Sequence, residues 1–202
     1  MKRITILSLL LLMILTSFAQ KPINLSGTWD FQIDCNGNYN ASQKYDDTIK
    51  LPGSMLTNGK GDLPSIDTKW TGSLYDSSYY YNPYMEKYRH TGSIKFPFFL
   101  TPEHYYVGYA WYRQNTNIPR EWKRNRVVLY LERPHIETTV FVNGKEVGHQ
   151  ISLSVPHEYD ITDYVKFGKN NSIAIKIYNG IENVGVGQDS HSVTDQTQGN
   201  WN

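Results

Sequence analysis

Apolar and polar residues alternate with period two through most of the chain beyond residue 20, and no stretch of a dozen residues there keeps a 3.6-residue repeat. In LSGTWDFQID, Leu25, Trp29, Phe31 and Ile33 share one face, with Gly27 in phase. In RVVLYLE the inward set is either Val127, Leu129 and Leu131 or its complement; in SIAIKIYN it is Ile173, Ile175 and Ile177, with Lys176 and Tyr178 outward. Half-buried antiparallel strands give this pattern, because successive side chains point to opposite faces of a sheet. Asn143 and Gly144 both tolerate positive φ, as a tight hairpin turn demands, and so join TTVFV to KEVG. Pro119, Pro134 and Pro156 fall between the runs, where the missing N–H breaks no ladder. DITDYV predicts one helical turn before FGKNN leads into another strand. About seven or eight short strands separated by turns predict an all-β fold, a β-sandwich or jelly roll.

One segment departs from this rhythm. The stretch at about 52–109 holds nine of the 16 tyrosines. It is too long for a simple connection, and its aromatic content argues against disorder. Two roles fit its composition. Trp70, Tyr79, Tyr80, Tyr81 and Tyr84 suit a carbohydrate platform, with rings stacking on sugars; the same rings suit packing against another domain, where aromatics are enriched.

The first 19 residues run from Lys2 and Arg3 through an apolar stretch to Thr16, Ser17, Phe18 and Ala19. That order predicts a secretory signal peptide, too short and wrongly flanked for a membrane span, with cleavage after Ala19. A secreted location, periplasmic or extracellular, is therefore expected. Cleavage takes the net charge from +1 to about −1. Such a balance gives no electrostatic footprint for nucleic acid or an anionic membrane surface. Cys35 is the single cysteine, so an internal disulfide is excluded and residues 20–202 must be held by an apolar core.

Six segments in fixed order carry a further signal: LSGTWDFQ, LPGSM, YAWYRQNTNIP, RVVLYLERPHIETTVFVNGKEVGHQISLSVPHEYDITDYV, GKNNSIAIKIYN and DQTQGNWN. Together they resemble the N-terminal sugar-binding domain of glycoside hydrolase family 2, the group of β-galactosidases, β-glucuronidases and β-mannosidases. The resemblance implies a jelly-roll β-sandwich of the galactose-binding-domain-like type over residues 20–202, carrying the tyrosine-rich insert. It also implies a partner region in the same chain: family members continue after such a segment with one more strand, an immunoglobulin-like domain and a (β/α)8 barrel that holds two catalytic glutamates. Within residues 1–202 the sandwich is then expected to lack its last strand.

No catalytic residue is assigned. A retaining glycosidase needs two carboxyl groups about 5 Å apart on a rigid scaffold, and a (β/α)8 barrel needs about 250 residues. The substrate-binding candidates are Asp189, His191, Asp195 and Trp201, in the polar stretch GQDSHSVTDQTQGNW, together with Trp70 and Tyr80 of the insert. The resemblance points to Asp195, where family members place an acidic loop over the substrate pocket; here the segment reads DQTQ. The bland alternative is that Asp189, His191 and Asp195 cap turns. His135, His149, His157 and His191 lack the paired spacing of a zinc site and are expected at surfaces or strand ends, and no alternating acidic run suggests calcium. No cofactor is expected. Three functions fit: the non-catalytic sugar-binding and scaffold domain of a secreted glycosidase, a freestanding carbohydrate-binding module, and a purely structural interaction domain.

Overall fold

Among the described residues, the alternation seen in the sequence becomes eight strands. In the computed structural model, residues 22–63, 68, 83–88, 90, 103–152 and 155–180 are described. The strands are β1 (Gly27–Asp34), β2 (Asp47–Leu51), β3 (Tyr109–Ile118), β4 (Val128–Leu131), β5 (Glu137–Val142), β6 (Lys145–Ile151), β7 (His157–Asp160) and β8 (Lys169–Tyr178). Six of them form one sheet in the order β2-β1-β3-β8-β5-β6, and β4 pairs with β7 in a second sheet. Every pairing is antiparallel. Helical structure among the described residues is confined to 3-10 turns at Leu56–Asn58, Pro83–Tyr88 and Arg120–Arg124. The predicted all-β class is therefore what the chain adopts.

The core lies between the two sheets. Ile173, Ile175 and Ile177 of β8 stand beside Tyr112 of β3 and Val140 and Val142 of β5, and Leu129, Tyr159 and Ile161 close over them. Each large apolar side chain buried there contributes about 1.5–3 kcal/mol. The choice left open in β4 resolves inward for Val127 and Leu129, each 4% exposed, while Tyr130 is 54% exposed on the far side. Trp111 and Tyr112 project to opposite faces, yet both are buried, at 2% and 1% exposed. The burial of Trp111 needs a cover on the outer face, and the 35–46 loop supplies part of it through the Tyr45 ring, 6.4 Å away. Asp34 anchors that loop by accepting from the Asn38 and Tyr39 amides and from Trp111 Nε1 at 3.0 Å. Arg113 grips Asp30 with Nη2 and Nε donating to one carboxylate oxygen at 3.0 and 3.2 Å, and lies 4.3 Å over the Tyr45 ring.

A polar link crosses the core. Thr138 Oγ1 of β5 lies 2.6 Å from both His157 Nδ1 and Tyr159 Oη of β7, and the tyrosine donates to the Thr138 carbonyl at 3.0 Å. His157 begins a strand, as expected of it, but sits in the interior rather than at the surface, 1% exposed. Burial holds its pKa below the ordinary imidazole value, so the link is formed by the neutral ring.

The Asn143 and Gly144 turn has φ values of 52° and 80°, as the sequence requires of it. Turn geometry is only part of what Asn143 does. Its amide donates to the Tyr164 carbonyl and to Asn171 Oδ1, both at 2.9 Å, and its oxygen accepts from the Ser172 amide. Asn171 in turn bonds the Lys166 amide and the Lys166 and Lys169 carbonyls. The hairpin, the single turn that DITDYV forms and the start of β8 are thereby tied at one end of the sandwich. Asn143→Gly keeps the backbone conformation but loses these bonds, so it is expected to destabilise by about 1–3 kcal/mol, with Asn143→Ala costing at least about 1 kcal/mol more for its strained φ. Urea unfolding measures both; a neutral Asn143→Gly variant would return the residue to a turn role alone.

Candidate functional site

The predicted contact residues Asp189, His191, Asp195, Trp201, Trp70 and Tyr80 lie outside the described residues. What is described is where the two segments carrying them are rooted. Inside the insert, an antiparallel bridge closes off residues 63–104: Asp62 N donates to the Tyr105 carbonyl at 3.0 Å and Tyr105 N to the Asp62 carbonyl at 2.8 Å. His104 Nδ1 adds a contact to the Gly61 carbonyl at 3.1 Å. Of the rings assigned to the platform, Tyr84 stands on the Pro83–Tyr88 turn and is 84% exposed.

The stretch 105–108 also holds the exit of β8. Gly108 N donates to Asn179 Oδ1 and Asn179 Nδ2 donates to the Tyr106 carbonyl, each at 2.8 Å, while Asn179 N reaches the Gly108 carbonyl at 3.4 Å. Asn179 is fully buried. Gly108 has φ 150°, strained for any other residue, and a Cβ there would sit 2.6 Å from Tyr106 Oη and have to displace that hydroxyl. Four consecutive residues thus fasten the root of the tyrosine-rich insert and the root of the 181–202 segment at one end of the sandwich. Sequence reasoning missed Asn179. Its signal was positional, since it continues the inward phase of Ile173, Ile175 and Ile177 with a polar residue, and a polar group at a core position needs partners.

Beside this clasp, the outer face of the large sheet carries rings and charge. Tyr109 pairs directly with Tyr178 across β3 and β8, their centroids 4.6 Å apart. The Lys176 ammonium lies 4.0 Å from the Tyr109 ring centre and 5.8 Å from that of Trp111. Trp111 also meets Phe141 at 5.4 Å, and Glu137 holds His149 Nε2 at 2.9 Å.

Three of the described carboxylates, Asp30, Asp47 and Asp160, serve as anchors. Asp30 is held by Arg113 and Asp47 by Lys60, whose hydrogen bond lowers its pKa. Hydrogen bonds from Thr162 and Arg126 take the pKa of Asp160 down to about 2. A general acid needs the opposite shift. Among the described residues no three histidine, cysteine or acidic side chains gather as metal ligands. A crevice of about 720 Å³ between the sheets is lined chiefly by apolar side chains such as Leu25, Trp29, Trp122 and Ile175. That lining suits packing better than recognition of sugar hydroxyls.

Comparison with known proteins fits this architecture. The family model described as "Glycosyl hydrolases family 2, sugar binding domain" matches residues 23–202. The chain belongs to glycosyl hydrolase family 2. A β-glucuronidase from Formosa agariphila is 32% identical over 72 residues, covering 36% of this chain and 7% of the relative. A β-galactosidase from Clostridium acetobutylicum is 25% identical over 164 residues, covering 77% of this chain and 16% of the relative. The crystal structure of Ruminococcus gnavus β-glucuronidase superposes with a TM-score of 0.51 at 20% identity, over 79% of this chain and 23% of that one. That likeness is one of fold. The family 2 domain described here spans a small fraction of the length of these relatives.

Asn179→Ala is expected to leave the Gly108 N–H and the Tyr106 carbonyl unsatisfied, at about 2–4 kcal/mol. Hydrogen exchange checks it locally: the Gly108 amide should exchange at least about tenfold faster while the Asn143 end is unchanged. Unchanged exchange at Gly108 would deny the clasp its role.

Proposed function

We propose that this family 2 domain is the N-terminal, non-catalytic sugar-binding and positioning part of a secreted glycoside hydrolase acting on O-glycosidic bonds. Residues 1–19 direct export to the periplasm or the medium, and residues 20–202 present the substrate to a catalytic region elsewhere in the parent protein. One observation carries this: the family match runs from residue 23 to residue 202, while the same sequence corresponds to only 7% and 16% of a β-glucuronidase and a β-galactosidase. The lowered pKa values of Asp47 and Asp160 fit anchors rather than a general acid, which supports a non-catalytic role, and the shared root of the two candidate binding segments supports one composite recognition surface.

Asp195, Asp189, His191 and Trp201 on one segment, and Trp70 and Tyr80 on the other, are the proposed sugar contacts. Hydroxyls are met by the polar side chains, and the apolar face of a sugar ring is met by the aromatic rings. Calorimetric titration with oligosaccharides, run beside an assay with chromogenic β-glucuronide and β-galactoside, tests the assignment. The purified 202-residue chain should bind glycan saturably and turn over neither substrate. Hydrolysis by this chain would overturn the non-catalytic role, and the absence of binding to any glycan would leave a scaffold without sugar recognition.

A further inference from the structure

β2 is an edge strand of the large sheet, and an open edge offers its main-chain groups to any strand that approaches. Here the edge is closed from within. Asn58 Oδ1 accepts from the Lys50 amide at 2.9 Å and Asn58 Nδ2 donates to the Lys50 carbonyl at 3.2 Å, so a side-chain amide stands where a neighbouring strand would pair. Because both main-chain groups of Lys50 meet Asn58, the alternation of an antiparallel ladder turns those of Thr48 away from β1 as well. The Thr48 amide donates to Asp47 Oδ1 at 2.7 Å, and Lys60 Nζ holds the other oxygen of that carboxylate at 2.6 Å. Of the four outward groups of Thr48 and Lys50, the Thr48 carbonyl alone lacks a partner among the described residues.

The loop that carries Asn58 and Lys60 back along β2 is fixed in place. Met55 roots it in the core at 3% exposed. Ser54 N donates to Thr57 Oγ1 at 2.9 Å and Thr57 N to Ser54 Oγ at 3.1 Å, while Asn58 Nδ2 donates a further bond to the Ser54 carbonyl at 2.9 Å. Gly53 lets the loop pass close to the strand, since a Cβ there would sit 2.8 Å from the Lys50 carbonyl oxygen, a main-chain atom that cannot swing aside. We propose that residues 53–60 are a built-in edge guard: Asn58 and the Lys60-held Asp47 occupy the positions at which β2 of a second copy of this chain would otherwise pair. A second copy is the partner excluded because antiparallel pairing of β2 with itself is symmetric, so one strand supplies both halves of the contact. The guard concerns self-association and stands apart from sugar recognition.

Hydrogen exchange and sedimentation velocity of the full chain over a concentration series decide the matter. In the parent the Lys50 amide, although it faces away from β1, should exchange at least about tenfold slower than an open amide, and Asn58→Ala should release it. Asp47→Ala combined with Asn58→Ala should raise the self-association constant at least about tenfold over the parent. Adding Lys50→Pro, which removes an edge donor without breaking a ladder bond to β1, should return it toward the parent value. Thermal melting confirms folding of each variant. Lys60→Met, which frees Asp47 and leaves Asn58 in place, replaces the double variant if that unfolds and should still raise association; Thr48→Pro likewise replaces Lys50→Pro. Rapid exchange at Lys50 in the parent, a folded guard variant that associates no more than the parent, or a rise that the proline leaves untouched overturns the inference.

Discussion

Everything in this domain depends on burying the isoleucine and valine stripe of β8 and β5 beneath the short β4–β7 sheet. A chain of this kind has one cysteine and gains no internal disulfide, so cohesion comes from apolar contact. The stripe sets the strand register as well. A slip of one residue in β8 would turn Ile173, Ile175 and Ile177 outward and carry Lys176 into the core, which burial of a charge forbids. Once that register is fixed, Asn179 has to fall on the inward side at the end of β8, and Tyr109 and Tyr178 have to meet on the outward side. The clasp and the ring pair are thus consequences of the hydrophobic pattern.

Polar groups then fix what apolar burial leaves loose. Thr138, His157 and Tyr159 join the sheets through their shared core. Asn143 and Asn171 gather three turns at one end, and Asn179 gathers two segment roots at the other. These bonds are buried or half-buried, so each group whose partner is lost keeps its desolvation cost. Such networks define geometry more than they add net stability, and geometry is what a recognition domain has to hold.

Much of the fold was legible in the sequence, and for a physical reason. Period-two alternation is a direct trace of strand geometry, so the strands β1, β4, β5 and β8 and the inward faces of β1 and β8 followed from residue order alone, as did the turn at Asn143 and Gly144, while the inward face of β4 was settled only by the second sheet. What the pattern does not carry is the partner of a polar residue. His157 looks like a strand-end residue until β5 brings Thr138 against it, and the hydrogen bonds of Asn143 and Asn179 span 29 and 71 residues. The outer-face burial of Trp111 depended on a loop rather than on alternation. The residues chosen for sugar contact, Asp195 from the resemblance and the others from polar density and aromatic content, lie outside the described residues, and the roots of their segments became visible through long-range hydrogen bonds that no periodicity encodes.

The central claim is that sugar recognition is organised at the end of the sandwich held by residues 105–108 and 179. Hydrogen exchange read residue by residue, with and without a saturating glycan, tests it most directly. Protection should concentrate around Tyr105 to Tyr109 and Tyr178 to Gly180, with the amides near Asn143 unaltered. Protection confined to the Asn143 end or to the exposed face of β4 and β7 would contradict the account.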